Sequence, residues 1–228
     1  TKIFIYYSKL SWDLLFQRPH QIMRHLNNEY LKIFITSNYI IKYEKKYNLL
    51  IISYEFKDYI FKKYKNLIIY ITDTRLYDEV LLLKNNNIVS KIIYDLIDAP
   101  INEFDVWKKN LSRIVNEADY VLYSHPKLIE YLNEINNNKE YYYISNSCDY
   151  EHFKNTKNRI HPKPIDFPEN DKPILGYYGA FAEWLDYDII KKYADDGNYH
   201  ILMIGGHKEA YNIRFEHNNI TWLDHKDY

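Results

Sequence analysis

Residues 91–123 read KIIYDLIDAPINEFDVWKKNLSRIVNEADYVLY. The runs Lys91–Leu96 and Tyr120–Tyr123 are short and rich in β-branched and aromatic residues, which is typical of strands. The apolar residues between them recur at three- and four-residue spacing, which predicts a helix with one apolar face over Asn102–Ala118. These apolar residues are Phe104, Trp107, Leu111, Ile114 and Ala118. A strand, a helix and a strand in this order predict a βαβ unit with parallel strands.

The same alternation continues toward both ends of this stretch. Pro19 and Pro126 each stand where a first helical turn would begin, a position that tolerates proline. Repeated βαβ units predict a mostly parallel sheet covered on both faces. The other strands predicted before residue 157 are Lys2–Tyr7, Lys32–Thr36, Leu49–Ser53, Asn66–Thr72 and Tyr141–Ser145. We therefore expect residues 1–156 to form a Rossmann-like α/β domain.

Proline positions divide the chain. Four of the seven prolines fall within Lys157–Pro173, a segment without apolar periodicity, which is typical of an extended linker. The pattern then restarts, and 174–228 is predicted to be an incomplete second Rossmann-like domain, because a complete one needs well over ~100 residues. Its predicted elements are the strands Ile174–Tyr178, Tyr199–Ile204 and Asn219–Leu223 and the helix Asp186–Ala194. With Thr1 in place of an initiator methionine, we expect a fragment of a longer enzyme.

Composition argues against several classes of protein. The chain has 30 Lys and Arg against 31 Asp and Glu, a net charge of −1, so it lacks the general basic field of a nucleic-acid-binding protein. No apolar run approaches the roughly 20 residues of a membrane-spanning helix. A single cysteine, Cys148, and no signal-peptide pattern predict a cytoplasmic protein. No histidine or cysteine spacing is typical of a metal site, so we expect no metal and no other cofactor.

In open α/β sheets, ligands bind at the carboxyl ends of the strands. The segment SKLSWDLLFQRPH at 8–20 follows the first strand and contains Trp12, Gln17, Arg18 and His20. An arginine beside a helix N-terminus favours a phosphate or carboxylate. Packing of Trp12 in the loop and a pairing of Arg18 with a local acid explain these residues equally well. After the strand at 91–96, Asp98 is a better candidate than Asp95, since Asp98 lies in the turn.

Glycines mark two turns in the second half of the chain. GYYGA at 176–180 and Gly205–Gly206 follow adjacent predicted strands, and the whole chain has five glycines. A turn of small residues lets backbone amides approach a phosphate. Neither turn is a G-x-G-x-x-G motif, and the chain contains no G-x-S-x-G elbow and no P-loop, so hydrolase triads and P-loop chemistry are not expected.

Five stretches, in this order, resemble GT-B glycosyltransferases of the family 4 type, in the branch that includes teichuronic-acid and capsule polysaccharide enzymes. The fourth stretch is similar to the family signature N-G-V-D-x-x-x-F, with Ser147 in the glycine position. The resemblance covers nearly the whole chain. The stretches are the W-x4-Q-R-P run at Trp12–Pro19, YDLIDAP at 94–100, EADYVLYSHPKLIEYL at 117–132, SNSCDYEHF at 145–153 and GYYGAFAEWLD at 176–186.

The resemblance implies transfer of a sugar from a nucleotide-diphosphate donor, a UDP-sugar, to a cell-surface polysaccharide or glycolipid. The glycan or lipid-linked acceptor would bind the first domain and the donor the second. It assigns Trp12, Gln17, Arg18 and His20 to the acceptor, Asp98 to catalysis at the reacting centre, and Gly179, Ala180, Gly205, Gly206, His207 and Lys208 to the donor. It gives Asn146 and Asp149 a structural role in the interdomain turn.

One departure from the family pattern qualifies this expectation. The acidic pair by which the family holds the donor sugar does not occur before Tyr228, so we expect this chain to be inactive by itself. The alternative is a non-catalytic glycan-binding module, or a half-enzyme that needs a partner chain. A different Rossmann enzyme is less favoured because no dinucleotide fingerprint follows the first strand. A lipid-linked acceptor would be compatible with peripheral membrane association, but no strongly basic amphipathic helix is predicted.

Overall fold

The computed structural model describes residues 2–13, 16–154, 156, 162–182, 184–206 and 214–226. The chain divides into two compact units, Thr1–Phe153 and Lys154–Tyr228. Residues 157–161 of the expected linker lie outside the described part of the chain. No helix in the described ranges combines the length and the apolar character needed to cross a membrane.

The first unit is built on an eight-stranded sheet with the order β3-β4-β2-β1-β5-β6-β7-β8. Neighbouring strands are parallel except β3 and β4, which are antiparallel. The strands are β1 Lys2–Tyr7, β2 Tyr30–Thr36, β3 Ile41–Glu44, β4 Leu49–Ser53, β5 Leu67–Ile71, β6 Val89–Leu96, β7 Tyr120–Tyr123 and β8 Tyr142–Tyr143. The predicted strands of this unit are all present, some with shifted ends.

The helices of the first unit follow the strands in the order that βαβ units require. They are α1 Arg18–His25, α2 Lys57–Lys63, α3 Tyr77–Asn85, α4 Lys108–Glu117, α5 Leu128–Ile135 and α6 Tyr150–Phe153. The unit β6–α4–β7 confirms the prediction from residues 91–123. The predicted helix begins as a 3₁₀ helix over Asn102–Trp107. Asn102 is not its N-cap: it has a left-handed φ of 51°, a conformation that asparagine tolerates well.

Strand β3 was not predicted from the sequence. It lies at the edge of the sheet beside β4, and three of its four residues are exposed. A strand exposed on both faces carries no alternation of apolar and polar residues, so the period-two pattern that identifies a strand is missing here.

The core of the first unit lies on both faces of the sheet. Successive side chains of a strand point to opposite faces, so β1 places Ile3, Ile5 and Tyr7 in one buried cluster and Phe4 and Tyr6 in the other. Because both faces are covered, the central strands are nearly continuous apolar runs.

The second unit contains a three-stranded parallel sheet with the order β11-β10-β9. Its strands are β9 Ile174–Tyr178, β10 His200–Ile204 and β11 Ile220–Leu223, with α7 over Tyr187–Asp196. Asp186 caps α7, accepting the Ile189 N–H at 3.0 Å, and Gly197 ends it with a left-handed φ of 75°, as helix caps require. These elements confirm the predicted α/β class.

Candidate functional site

A cleft of about 530 Å³ opens in the first unit between α1 and residues 144–151. Helix α1 and its C-cap residue Leu26 form one wall, to which the helix contributes Arg18, Gln21, Ile22 and His25. This spacing of three and four residues places these side chains on one face of the helix. The cleft thereby joins two of the stretches that carry the resemblance, the one ending at Pro19 and the one at 145–153.

A buried ion pair sets the position of Arg18 at the edge of this cleft. The Arg18 Nε donates to Asp95 Oδ2 at 2.8 Å and its Nη2 donates to Oδ1 at 3.3 Å. The Tyr70 hydroxyl donates to the same Asp95 Oδ2 at 2.6 Å. The Asp95 side chain is fully buried. Three hydrogen bonds from Arg18 and Tyr70 therefore satisfy a carboxylate that has no access to water.

The remaining side of the guanidinium reaches the opposite wall. The Arg18 Nη1 donates to the Ser145 carbonyl oxygen at 3.0 Å and to Asn146 Oδ1 at 3.4 Å. Burial lowers the pKa of Arg18, but the hydrogen bonds and charge of Asp95 outweigh this effect, so the pKa stands above its usual value. Arg18 is thus a fixed cation that ties α1, β6 and the segment after β8 together.

This arrangement changes the interpretation of the two strand-end aspartates. Asp98, the stronger candidate from the sequence, is exposed in the loop after β6. Asp95, the weaker one, is the buried partner of Arg18, and the pairing spans 77 residues of sequence. A pairing of Arg18 with an acid was one of the two interpretations left open, although the acid is not a local one.

The other residues assigned to the acceptor are not among those that line the cleft. Its described walls include Arg18 but not Trp12, Gln17 or His20. Trp12 is buried, and its backbone N–H donates to Thr36 Oγ1 at 2.9 Å and Asn38 Oδ1 at 2.6 Å. The Gln17 N–H donates to His20 Nδ1 at 3.1 Å at the start of α1. These three residues shape the loop and the first turn of α1.

His20 lies inside an aromatic cluster. Its ring centroid is 4.8 Å from the ring centroids of Trp12 and Phe34, and the residue is fully buried. Burial lowers the pKa of His20 to about 4. The imidazole is therefore neutral near pH 7, and it does not add a positive charge to the site.

Residues 144–151 form the wall that the sequence interpretation did not treat as a binding surface. Asp149, which was expected only to shape a turn, accepts the His152 N–H at the start of α6 at 3.2 Å and also lines the cleft. Cys148 is exposed in the same wall. The signature-like stretch at 145–153 was the available sequence signal for this wall, but nothing in the sequence indicated that it faces α1.

In the second unit, the two glycine turns lie side by side at the carboxyl ends of β9 and β10, since Tyr178 and Ile204 are register partners. The Gly179 N–H donates to the Ile204 carbonyl at 2.9 Å. Gly205 has a φ of +153°, and a Cβ built on it would lie 1.8 Å from the Gly179 carbonyl oxygen. The absence of a side chain at Gly205 is thus required by the neighbouring backbone itself.

Gly206 differs from Gly205. A Cβ on Gly206 would meet no described heavy atom within 4 Å, so the described part of the chain leaves the space beside this residue open. Ala180 is exposed, and its carbonyl accepts the Tyr177 hydroxyl at 2.9 Å. His207 and Lys208 lie outside the described residues. Within the described part of the chain, no group of three or more His, Cys, Asp or Glu side chains could hold a metal ion.

Comparisons with known proteins give a similarity in structure but none in sequence. No protein-family model and no curated protein sequence matches the chain. Among solved structures, the chain is similar to the crystal structure of Anabaena Alr3699/HepE in complex with UDP and glucose, with a TM-score of 0.64 and 8% sequence identity. The similarity covers 99% of this chain and 69% of that one. The chain therefore has the Rossmann-like α/β fold of a protein crystallised with UDP and glucose.

Replacing Asp95 by Asn tests the buried ion pair. The substitution leaves the Arg18 charge without a buried partner, so we expect a loss of roughly 3–5 kcal/mol in the free energy of unfolding. Urea denaturation measures it. Asp73→Asn is the matched control, because Asp73 forms a more exposed ion pair with Arg75 and should cost less than ~1 kcal/mol. Equal losses in the two variants would contradict the assigned role.

His20 predicts a pH dependence of stability. Its folded-state pKa of about 4 is below the ordinary value of about 6.5. The unfolded chain therefore binds more protons, and stability decreases as the pH falls from about 6.5 to about 4. Urea denaturation at about pH 6.5 and about pH 4 measures how much the free energy of unfolding falls across this range. We expect this fall to be smaller by roughly 2–3 kcal/mol in His20→Gln than in the wild type. His25→Gln, an exposed change on the same helix, should keep the wild-type loss; a full loss in His20→Gln would refute the prediction.

The two adjacent glycines predict opposite outcomes of one substitution. Gly205→Ala forces a Cβ against the Gly179 carbonyl and keeps a strained φ, so we expect a cost of roughly 2–4 kcal/mol. Gly206→Ala has open space and should stay within ~0.5 kcal/mol of wild type. Thermal unfolding followed by tryptophan fluorescence distinguishes them, because Trp222 is partly buried and packs against the second unit's core. A harmless Gly205→Ala would show that the two backbones are not in contact.

Proposed function

We propose that this chain belongs to a glycosyltransferase that moves a sugar from a nucleotide-diphosphate donor to a glycan acceptor. The observation that supports the proposal most directly is the fold, which is shared over 99% of the chain with a protein crystallised with UDP and glucose. The five stretches from Trp12 to Asp186 that resemble family 4 enzymes point to the same activity.

The second unit is proposed to bind the donor. Two strands end side by side in glycine turns, and the open space at Gly206 would let backbone amides approach the diphosphate. Glycosyl transfer requires stabilisation of the charge on the leaving diphosphate, and oriented N–H groups can provide it. The residues proposed to bind the donor are those named from the sequence: Gly179, Ala180, Gly205, Gly206, His207 and Lys208. Gly205 is also needed to form the turn.

The first unit is proposed to bind the acceptor in the cleft at Arg18. Asp98 is the proposed catalytic carboxylate: it is exposed in the loop after β6, and a carboxylate can take the proton of an acceptor hydroxyl. Arg18 lines this cleft, whereas Trp12, Gln17 and His20 do not. The resemblance favours a UDP-sugar as donor and a cell-surface polysaccharide or glycolipid as acceptor.

Calorimetric titration with UDP and UDP-glucose tests the donor side. We expect saturable binding to the wild-type chain, and binding at least about tenfold weaker, or ~1.4 kcal/mol, in Gly206→Ala, because its methyl group would occupy the space of the diphosphate. Gly176→Ala is the matched control, since a Cβ on Gly176 also meets no described heavy atom within 4 Å. It should bind UDP as the wild type does. Wild-type affinity in Gly206→Ala, or no UDP binding to the folded protein, would count against the proposal.

A further inference from the structure

The charge in the first unit's cleft limits what can bind there. Of the described residues that line it, Arg18 and His25 are those that can carry a positive charge. The Arg18 charge is already balanced by the buried carboxylate of Asp95, with a shortest distance of 2.8 Å. Its Nη1 is directed to the protein as well, to Ser145 and Asn146. A cation held in this way has little left to offer a phosphate or a carboxylate.

The opposite wall presents two negative charges and hydroxyl groups. The Asp149 and Glu151 carboxylates line the cleft, together with Ser147 and Tyr150. A carboxylate accepts hydrogen bonds only, and hydroxyl groups both donate and accept them. A second anion placed beside Asp149 would be repelled, whereas a sugar hydroxyl could donate a hydrogen bond to it.

An apolar strip completes the cleft. Ile22 and Leu26 of α1 lie along one wall and Ile144 lies on the other. Binding pockets commonly combine apolar surface with a few polar groups that orient the ligand. A sugar ring matches this combination, because its C–H groups form an apolar surface and its hydroxyls lie around the edge.

We propose that this cleft takes an uncharged, hydroxyl-rich sugar unit, and that it discriminates against phosphorylated and carboxylated sugars. The inference deepens the proposed function, on which it rests, by naming the chemical class of the acceptor: a neutral glycan. Asp149 and Glu151 are the residues that determine this specificity, and Asp95 supports it by neutralising Arg18.

The chain's single cysteine supplies a local readout. Cys148 is exposed and lines the cleft, so a bound sugar should slow its alkylation by iodoacetamide, a neutral reagent. The experiment compares maltose and glucose with glucose 6-phosphate and glucuronate at equal concentrations. We expect the neutral sugars to slow alkylation about twofold at half-saturation, and the two anionic sugars to leave the rate unchanged.

Asp149→Asn tests the assigned cause. Asparagine also caps helices, so α6 should be retained while one of the two negative charges of the wall is lost, and Glu151→Gln removes the other. In the double variant Asp149→Asn/Glu151→Gln, glucuronate should gain protection and maltose should keep it, with each rate compared with the same variant without sugar. Asp105→Asn removes an exposed carboxylate that does not line the cleft, and it should behave as the wild type does.

Two results would overturn the inference: protection of the wild type by glucuronate or glucose 6-phosphate equal to that by maltose, or no protection by any of the four sugars. Neither result depends on the donor. UDP binding to the second unit, measured by calorimetry on the same protein, stays intact if only the acceptor class is wrong. It is absent if the transferase assignment itself fails.

Discussion

The carboxylate of Asp95, buried at the end of β6, constrains the whole candidate site of the first unit. Removing a carboxylate from water costs several kcal/mol unless opposite charge and hydrogen bonds offset the cost. Arg18 and Tyr70 provide both, at 2.8 and 2.6 Å. Helix α1 must therefore begin where its first residue, Arg18, can reach β6. The segment after β8 must lie where the Ser145 carbonyl can accept a hydrogen bond from the Arg18 Nη1. The cleft is the space left between these two positions.

The parallel sheet explains why this constraint lies where it does. Parallel strands place their carboxyl ends at one edge, where connecting segments carry the polar side chains. In the first unit this edge collects Asp95 and Asp98 from β6 and the loop after it, Ser145 from the segment after β8, and Arg18 from the start of α1. In the second unit the same edge carries the glycine turns, where two backbones meet closely enough that Gly205 cannot have a side chain. The two units use the same edge with different chemistry: side chains in one and backbone groups in the other.

Much of the fold was predictable, because burial on both faces leaves a local record in the sequence. The strands β1, β4, β7 and β9 have the predicted bounds, since nearly continuous apolar runs between polar turns are visible without knowledge of the neighbours. Strand β3 was missed because it is exposed at the edge. The helix over residues 102–118 was found by its apolar face, but its 3₁₀ start was not, because apolar spacing does not distinguish the two helix types over one turn.

The site was predictable only in part. By itself the sequence determined the α/β class, the residues at the strand ends and the adjacency of the two glycine turns, since hydrophobic period and turn residues are local properties. Only the tertiary structure decided that Arg18 pairs with Asp95, that Trp12 and His20 are buried and do not line the cleft, and that Asp149 lines it. These outcomes depend on contacts between residues distant in sequence, such as Arg18 and Asp95, which are 77 residues apart. They also depend on how much water reaches each side chain. The distance between two side chains far apart in sequence, and the burial of a polar side chain, are properties of the folded chain that no local pattern of residues encodes.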